Sequence, residues 1–120
     1  MSNEKELGDK GEELASAFLL KKGYKIIKRK YVSGHSEVDL VASIEGKIIF
    51  VEVKTRASAY LSDPSLLVTR KKQKQVIMAA DRFMKEFHPE KESRFDIVII
   101  ITNKEYTSVD HIEDAFYPMI

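Results

Sequence analysis

The feature that most constrains the fold of this chain is a pair of apolar, β-branched runs separated by Glu45-Gly46. The runs cover residues 36–44 and 47–54, and their enrichment in Val, Ile, Leu and Phe is typical of β-strands. A two-residue turn between such runs predicts a β-hairpin in which Ile44 pairs with Lys47. The turn fixes the register of the two strands, and the register determines which side chains share a face of the sheet.

Charged residues interrupt both strands of the predicted hairpin. The register places Asp39 across from Glu52 and Glu37 across from Lys54, on one face and with β-carbons roughly 5 Å apart. Burying such charges is unfavourable unless they are paired or bind a metal. Two carboxylates this close repel each other, so we expect a raised pKa unless a cation compensates. Carboxylate oxygens in this arrangement suit a hard ion such as Mg²⁺ or Mn²⁺.

The rest of the chain alternates between helical and strand patterns. Helices are predicted over residues 4–22 and, from a Thr69 cap, 69–87. Strands are predicted over 24–31, 94–102 and 106–112, a long loop over 55–68, and an apolar tail over 115–120. Gly8 and Gly11 inside the first helix indicate close backbone packing or a substrate passing nearby. This order predicts one α/β domain over residues 1–120, with a central mixed β-sheet flanked by helices.

Composition restricts the functional classes. The 120 residues are enough for one hydrophobic core, and 43% hydrophobic with 32% charged residues is ordinary for a globular protein. The absence of cysteine excludes disulfides, thiolate metal sites and cysteine nucleophiles. The N-terminus does not resemble a signal peptide, and the longest apolar run is too short to cross a membrane. We therefore expect a cytoplasmic protein with no membrane partner.

A formal net charge of +1 means that any nucleic-acid contact must come from a local patch. Arg56, at the start of the long loop, and Lys71, Lys72 and Lys74, early in the second helix, form such a patch. These side chains can contact phosphates, or they can form an ordinary solvated helix face.

Asp39, followed by Glu52-Val53-Lys54, makes chemical sense for phosphodiester hydrolysis. Asp39, Glu52 and the Val53 carbonyl would hold a divalent ion, which polarises a phosphate and lowers the pKa of a bound water. Lys54 would orient that water or neutralise charge developing on the phosphate. The alternative is a set of surface salt bridges on a solvated sheet face, and the spacing alone leaves both open.

Several short motifs together carry a family resemblance. They are Gly8-x-x-Gly11-Glu12-x-x-Ala15, Gly23-Tyr24, Glu37-Val38-Asp39-Leu40, Phe50-Val51-Glu52-Val53-Lys54-Thr55-Arg56, Arg94-Phe95-Asp96 and His111-Ile112-x-x-Ala115-Phe116. This combination resembles the YraN-type family of small, uncharacterised bacterial proteins. That family is similar to the restriction-endonuclease-like PD-(D/E)XK superfamily and, within it, to the archaeal Holliday junction resolvases. One departure is Ser36, where the family usually has glycine.

The resemblance implies a restriction-endonuclease-like fold and a Mg²⁺- or Mn²⁺-dependent endonuclease acting on DNA, with branched DNA as one substrate. It implies active-site positions at Glu12, Asp39, Glu52 and Lys54, and places Gln73 near the metal. We assign Glu37 as the salt-bridge partner that holds Lys54. A homodimer would supply two sites for two strands, as in junction-cleaving relatives.

Two alternatives remain open, because a fold does not establish an activity. The chain can be a non-catalytic nucleic-acid-binding or adaptor protein that retains the nuclease fold. It can also be a protein-interaction scaffold with a vestigial site.

Overall fold

A computed structural model describes residues 4–58, 68–87 and 90–118 of the chain. Within these ranges it contains two α-helices and five β-strands, in the predicted order. They are α1 (Glu4–Lys21), β1 (Lys25–Ser33), β2 (Ser36–Ile44), β3 (Lys47–Arg56), α2 (Arg70–Phe87), β4 (Glu92–Thr102) and β5 (Thr107–Phe116). The strands form one sheet in the order β1-β2-β3-β4-β5. Only β3 and β4 pair in parallel, so the sheet is mixed, as predicted.

The β2–β3 hairpin has the predicted turn and register. Glu45 and Gly46 both adopt positive φ, at 50° and 79°, as a two-residue primed turn requires. Pairing starts at Ile44–Lys47 and continues to Leu40–Val51. There the ladder ends, one pair before Asp39 would face Glu52, so β2 and β3 separate at the level where the charged residues begin.

The sheet is covered by one helix on each face, with a separate core under each. The core beneath α2 contains Phe50 of β3 and Phe83 of the helix, whose rings pack edge to face at 5.7 Å. The core beneath α1 contains Leu19 of the helix and Val51 of β3. β4 contributes buried residues to both cores, which confirms the prediction of a strand covered on both faces.

The first helix lies very close to β3 because of a glycine. A β-carbon at Gly11 would collide with the Thr55 hydroxyl, so this contact requires glycine and confirms the prediction of close backbone packing. A β-carbon at Gly8 would meet nothing within 4 Å, so helix packing does not require glycine there.

The helix ends follow the predicted signals. Gly23, at φ 95°, follows α1, and the Tyr24 amide donates a hydrogen bond to the Leu19 carbonyl. Thr69 caps α2, its hydroxyl accepting a hydrogen bond from the Lys72 amide at 3.1 Å.

The predicted C-terminal tail is wrong in part. Ala115 and Phe116 belong to β5, where Phe116 pairs with Phe95 and the two rings stack at 5.2 Å. Much of the predicted loop, residues 59–67, lies outside the described residues. Among the described helices, neither is long and apolar enough to span a membrane.

Candidate active site

The site forms where β2 leaves β3. The Asp39 carboxylate takes the place of the missing strand: its Oδ2 accepts a hydrogen bond from the Val53 amide at 2.8 Å. Because the N–H and C=O of one strand residue point to the same side, we expect the Val53 carbonyl to face this gap as well. The predicted proximity of Asp39 to the Glu52-Val53 segment is therefore achieved by a side chain rather than by cross-strand pairing.

Glu52 is a buried carboxylate with an incomplete set of partners. It is 1% exposed, and it shares the α2 face with Phe50 because strand side chains alternate. Its Oε1 atom is buried and has no hydrogen-bond partner. Its Oε2 atom lies 3.8 Å from Nζ of Lys72, an ion pair at the long end of the useful range. Such a group is costly to keep ionised without a further cation.

The electrostatics follow from this burial. Burial, followed by repulsion from Asp39, raises the pKa of the Glu52 carboxyl to about 8. Burial also raises the pKa of Asp39, although the hydrogen bond from Val53 and the charges of Lys72 and Lys54 act in the opposite direction. The predicted raised pKa in this pair is confirmed.

Residues from both helices line a cavity of about 580 Å³ together with the two carboxylates. From α1, Gly8 and Glu12 line the cavity, and from α2, Lys72 does. Burial and, after it, the charge of Asp39 raise the pKa of Glu12. The Glu12 carboxyl therefore interacts electrostatically with the Asp39 carboxylate. The gap between β2 and β3 thus opens the site to both faces of the sheet.

The remaining predicted residues divide into those at the cavity and those elsewhere. Lys54 and Arg56 line it. Lys54 is partly exposed and forms no ion pair within the described parts of the chain, whereas Arg56 donates a hydrogen bond to the Thr55 carbonyl at 2.8 Å. Lys71 and Lys74 lie on α2 but are not among the described residues that line this cavity.

Two supporting residues make contacts other than those assigned to them. Glu37 forms no ion pair with Lys54 in the described ranges; its backbone carbonyl accepts a hydrogen bond from Lys72 Nζ at 3.4 Å. Gln73 lines a different cavity and not this one, and its amide nitrogen donates a hydrogen bond to the Val68 carbonyl at 3.0 Å. The separation of β2 from β3 beyond Leu40 explains the difference at Glu37, and the rotation of α2 explains the difference at Gln73. Both depend on tertiary packing, which local sequence patterns do not encode.

Sequence reasoning also missed the closest cation to Glu52. It assigned Lys72 only to phosphate binding, whereas Lys72 contacts both Glu52 and the Glu37 carbonyl. The position of Lys72 could have suggested this contact, because Lys72 lies two residues after the start of α2, and this helix follows β3 and packs on the sheet. Helical periodicity alone did not show which of four neighbouring cations would face inward.

The donor set for a metal ion is small. Among the described residues, no group of three or more His, Asp or Glu side chains is positioned to hold a metal. The available donors are the free oxygen of Asp39, the unpartnered Oε1 of Glu52 and the expected Val53 carbonyl. An orphaned buried carboxylate oxygen beside a second carboxylate fits a divalent oxygen-seeking ion.

The fold and these positions define the class of the protein. A five-stranded mixed sheet flanked by two helices is a restriction-endonuclease-like α/β fold, and the motif residues lie where its central strands diverge. Among known sequences, the profile of the family described as "Uncharacterised protein family UPF0102" matches residues 11–100. The chain belongs to this family, the YraN-type group within the PD-(D/E)XK-like superfamily.

Full-length relatives support the assignment. A UPF0102 protein of Phocaeicola vulgatus is 38% identical over 120 residues, covering 100% of this chain and 99% of the relative. One from Bacteroides thetaiotaomicron is 41% identical over 118 residues, covering 98% of both chains. One from Prosthecochloris aestuarii is 42% identical over 120 residues, covering 93% of this chain and 94% of the relative. The predicted family is confirmed.

Proposed function

We propose that this protein is a metal-dependent endonuclease that hydrolyses phosphodiester bonds in DNA, with branched or otherwise structured DNA as a candidate substrate. The single observation that carries the proposal is Glu52, fully buried beside Asp39 with one carboxylate oxygen unpartnered, at the wall of an open cavity. A purely structural carboxylate in such surroundings would be expected to have both oxygens hydrogen-bonded.

The chain's own groups have separable roles in this proposal. Asp39 and Glu52, with the Val53 carbonyl, would hold Mg²⁺ or Mn²⁺. When bound, such an ion supplies Lewis-acid polarisation of the phosphate and lowers the pKa of a coordinated water. Lys54, which lines the cavity without an ion-pair partner in the described ranges, would stabilise the charge that develops on the phosphate. Glu12 would complete the acidic wall from α1.

Lys72 connects the site to the phosphate patch. In the structure its ammonium group contacts the Glu37 carbonyl at 3.4 Å and lies 3.8 Å from the Glu52 carboxylate, which it partly neutralises. A bound divalent ion would take over that neutralisation, leaving Lys72 available for a DNA phosphate together with Arg56, Lys71 and Lys74. A second copy of the chain would supply a second site for the opposite strand.

The test is cleavage of end-labelled duplex, single-stranded and four-way-junction DNA with Mg²⁺ or Mn²⁺. We expect Asp39→Asn and Glu52→Gln each to reduce cleavage by about 100-fold or more, because each removes a charged ligand of the metal ion that would stabilise the transition state. Glu86→Gln, an exposed residue at the far end of α2, is the matched control and should cleave like the wild type. Calorimetric titration with Mn²⁺ on the same variants should show binding that needs Asp39 and Glu52.

Inactivity of the wild type on every substrate, or full activity in the Asp39 variant, would contradict the proposal. Manganese binding that is unchanged in the Glu52 variant would contradict the assignment of the metal ligands. The cleavage assay would still decide whether the protein hydrolyses DNA.

A second candidate function is a non-catalytic nucleic-acid-binding or adaptor module. The observation that favours it is the Lys72–Glu52 ion pair, because a lysine supplies the neutralisation that a metal would otherwise provide. This function predicts salt-sensitive DNA binding that is reduced by Lys71→Gln, Lys72→Gln and Lys74→Gln, no manganese binding, and no cleavage at any metal concentration.

A further inference from the structure

A second cavity lies on the other side of α2 from the candidate active site. Its volume is about 530 Å³, within the usual range of small-molecule sites. Helix α2 contributes Arg70, Gln73, Lys74 and Met78, and the segment following β5 contributes Tyr117. Except for Lys74, which belongs to the phosphate patch proposed above, none of these groups has a role in the proposed hydrolysis.

The walls of this cavity combine exposed apolar surface with uncompensated positive charge. Tyr117 is 66% exposed and Met78 58%, which is high for an aromatic ring and a thioether in a small domain. No acidic residue is among the described residues that line the cavity, and neither Arg70 nor Lys74 forms an ion pair with them or with the rest of the described chain. Farther along the same helix, in contrast, Lys85 is paired with Asp81 at 3.0 Å.

The first turns of α2 contribute residues to both cavities. Lys72 lines the candidate active site, whereas Arg70 and Lys74, two residues before and after it, line the second cavity. Two residues correspond to roughly 200° of helix rotation, so these side chains leave opposite sides of a cylinder about 10–12 Å wide. A polyanionic strand bound at one cavity can therefore reach the other within a few nucleotides.

We propose that the second cavity binds an unpaired base of the DNA strand, stacked on Tyr117 and Met78, with its flanking phosphates held by Arg70 and Lys74. The charge of the rim selects a polyanion, and the apolar, aromatic wall selects a ligand with a flat π-face; a nucleotide combines both. This subsite would distinguish structured DNA from a fully paired duplex. The identity of the ligand as DNA rests on the proposed function.

The experiment measures binding rather than cleavage. Three fluorescent probes are titrated without divalent metal: a fully paired duplex, the same duplex with one unpaired 2-aminopurine, and the single strand. The variants are Tyr117→Ala and Tyr117→Phe. Tyr106→Ala is the matched control, because Tyr106 is also an exposed tyrosine, 43% accessible, but lies in the β4–β5 turn. Thermal unfolding confirms that each variant is folded.

We expect Tyr117→Ala to weaken binding of both unpaired probes by about 5- to 150-fold, the range found when a stacking aromatic is removed. Tyr117→Phe and Tyr106→Ala should remain within about two-fold of the wild type. The fully paired duplex should bind all variants alike, and the 2-aminopurine fluorescence should be quenched on binding only where an aromatic ring is present at position 117.

Equal effects of Tyr117→Ala and Tyr106→Ala, equal effects on paired and unpaired probes, or no binding to any probe would overturn the proposal. So would self-association in sedimentation that Tyr117→Ala abolishes while DNA affinity is unchanged, because the surface would then be an interface between two copies. Tyr117-dependent binding without cleavage contradicts only the nuclease activity, and cleavage with Tyr117-independent binding contradicts only this subsite.

Discussion

At the scale of single residues, Glu52 is the group whose chemistry departs most from its intrinsic properties. Its alternation with buried Phe50 places it in the interior, and the separation of β2 from β3 brings Asp39 beside it instead of a backbone partner. Burial and like charge then favour the protonated form, so the pKa rises from 4.5 to about 8. Perturbations of this size are typical of functional sites.

The Glu52 pKa predicts an unusual dependence of stability on pH. Between about pH 4.5 and 8 the folded chain retains a proton that the unfolded chain releases, so the free energy of unfolding should fall as pH rises. The loss is complete once the pH has risen above the pKa of the folded state, about 8. Glu52→Gln should therefore match the wild type near pH 4 and exceed it near pH 9, in urea unfolding followed by circular dichroism.

Glu86→Gln controls for the loss of a carboxylate at an exposed position and should show the wild-type pH dependence. A Glu52 variant with the same slope as the wild type between pH 5 and 8 would show that Glu52 ionises normally. Added Mn²⁺ should restore wild-type stability at high pH, because ligand binding to the folded state stabilises it.

At the scale of elements, the contact between α1 and β3 positions Glu12. The two elements approach closely only because Gly11 lacks a side chain above Thr55, and Glu12 is the next residue along the helix. Gly8 has open space beside it and lines the candidate active site. The helix therefore contains one glycine required for packing and one that keeps the cavity clear.

This difference predicts opposite effects of the same substitution. Gly11→Ala should destabilise the protein by about 1–3 kcal/mol, because the added methyl group must displace Thr55. Gly8→Ala should stabilise it by up to about 1 kcal/mol through helix propensity. Denaturant midpoints of the two variants measure the difference, and equal shifts in the same direction would contradict the packing argument.

The activity of the Gly8 variant supplies a second measurement. If DNA approaches α1 at this point, Gly8→Ala should reduce cleavage although it raises stability. Unchanged cleavage would show that the substrate stays clear of the first turns of α1.

At the scale of the whole molecule, a buried polar network joins the last strand to the first helix. Asp96 of β4 is fully buried and contacts His111 Nε2 at 2.7 Å and Arg94 Nε at 2.8 Å. It also accepts a hydrogen bond from the Asp114 amide, which adopts a positive φ of 52° where the β4–β5 register shifts. Lys22, the residue directly after α1, reaches His111 Nδ1 at 2.8 Å.

The electrostatics of this network favour an ionised Asp96. Burial alone would raise the pKa of Asp96, but the hydrogen bonds from His111, Arg94 and the Asp114 amide outweigh it, so the pKa is lowered. The same interaction raises the pKa of Arg94. Both oxygens of the Asp96 carboxylate have hydrogen-bond partners, whereas one oxygen of Glu52 has none. This difference indicates that the Asp96 cluster stabilises the fold and is not a second reactive site.

Asp96→Asn should destabilise the protein by about 3–5 kcal/mol, because it removes the buried carboxylate that pairs with Arg94 and contacts the His111 ring. Asp110→Asn, an exposed position on the neighbouring strand β5, should stay within about 0.5 kcal/mol of the wild type. Thermal unfolding of both variants at neutral pH is the measurement. Similar midpoints for the two variants would contradict a structural role for the network.

The sequence by itself determined the elements, their order and the hairpin register. These features depend on interactions within a few residues: apolar β-branched runs, the Glu-Gly turn and the Thr69 cap. Their effects can therefore be predicted from short segments of the sequence. The candidate carboxylates Asp39 and Glu52 were also found this way, because charges inside a strand pattern conflict with burial. The family motifs added Glu12, which periodicity alone would have left on a solvated helix face.

The tertiary structure decided how these residues meet. The ladder ends at Leu40–Val51, Asp39 replaces a strand by binding the Val53 amide, and the rotation of α2 selects Lys72 for Glu52 while sending Gln73 to a different cavity. Strand separation and helix rotation depend on how whole faces pack, and no short segment encodes them. The charged hairpin was therefore predictable as a candidate site, whereas the residues that contact it could be identified only in the folded chain.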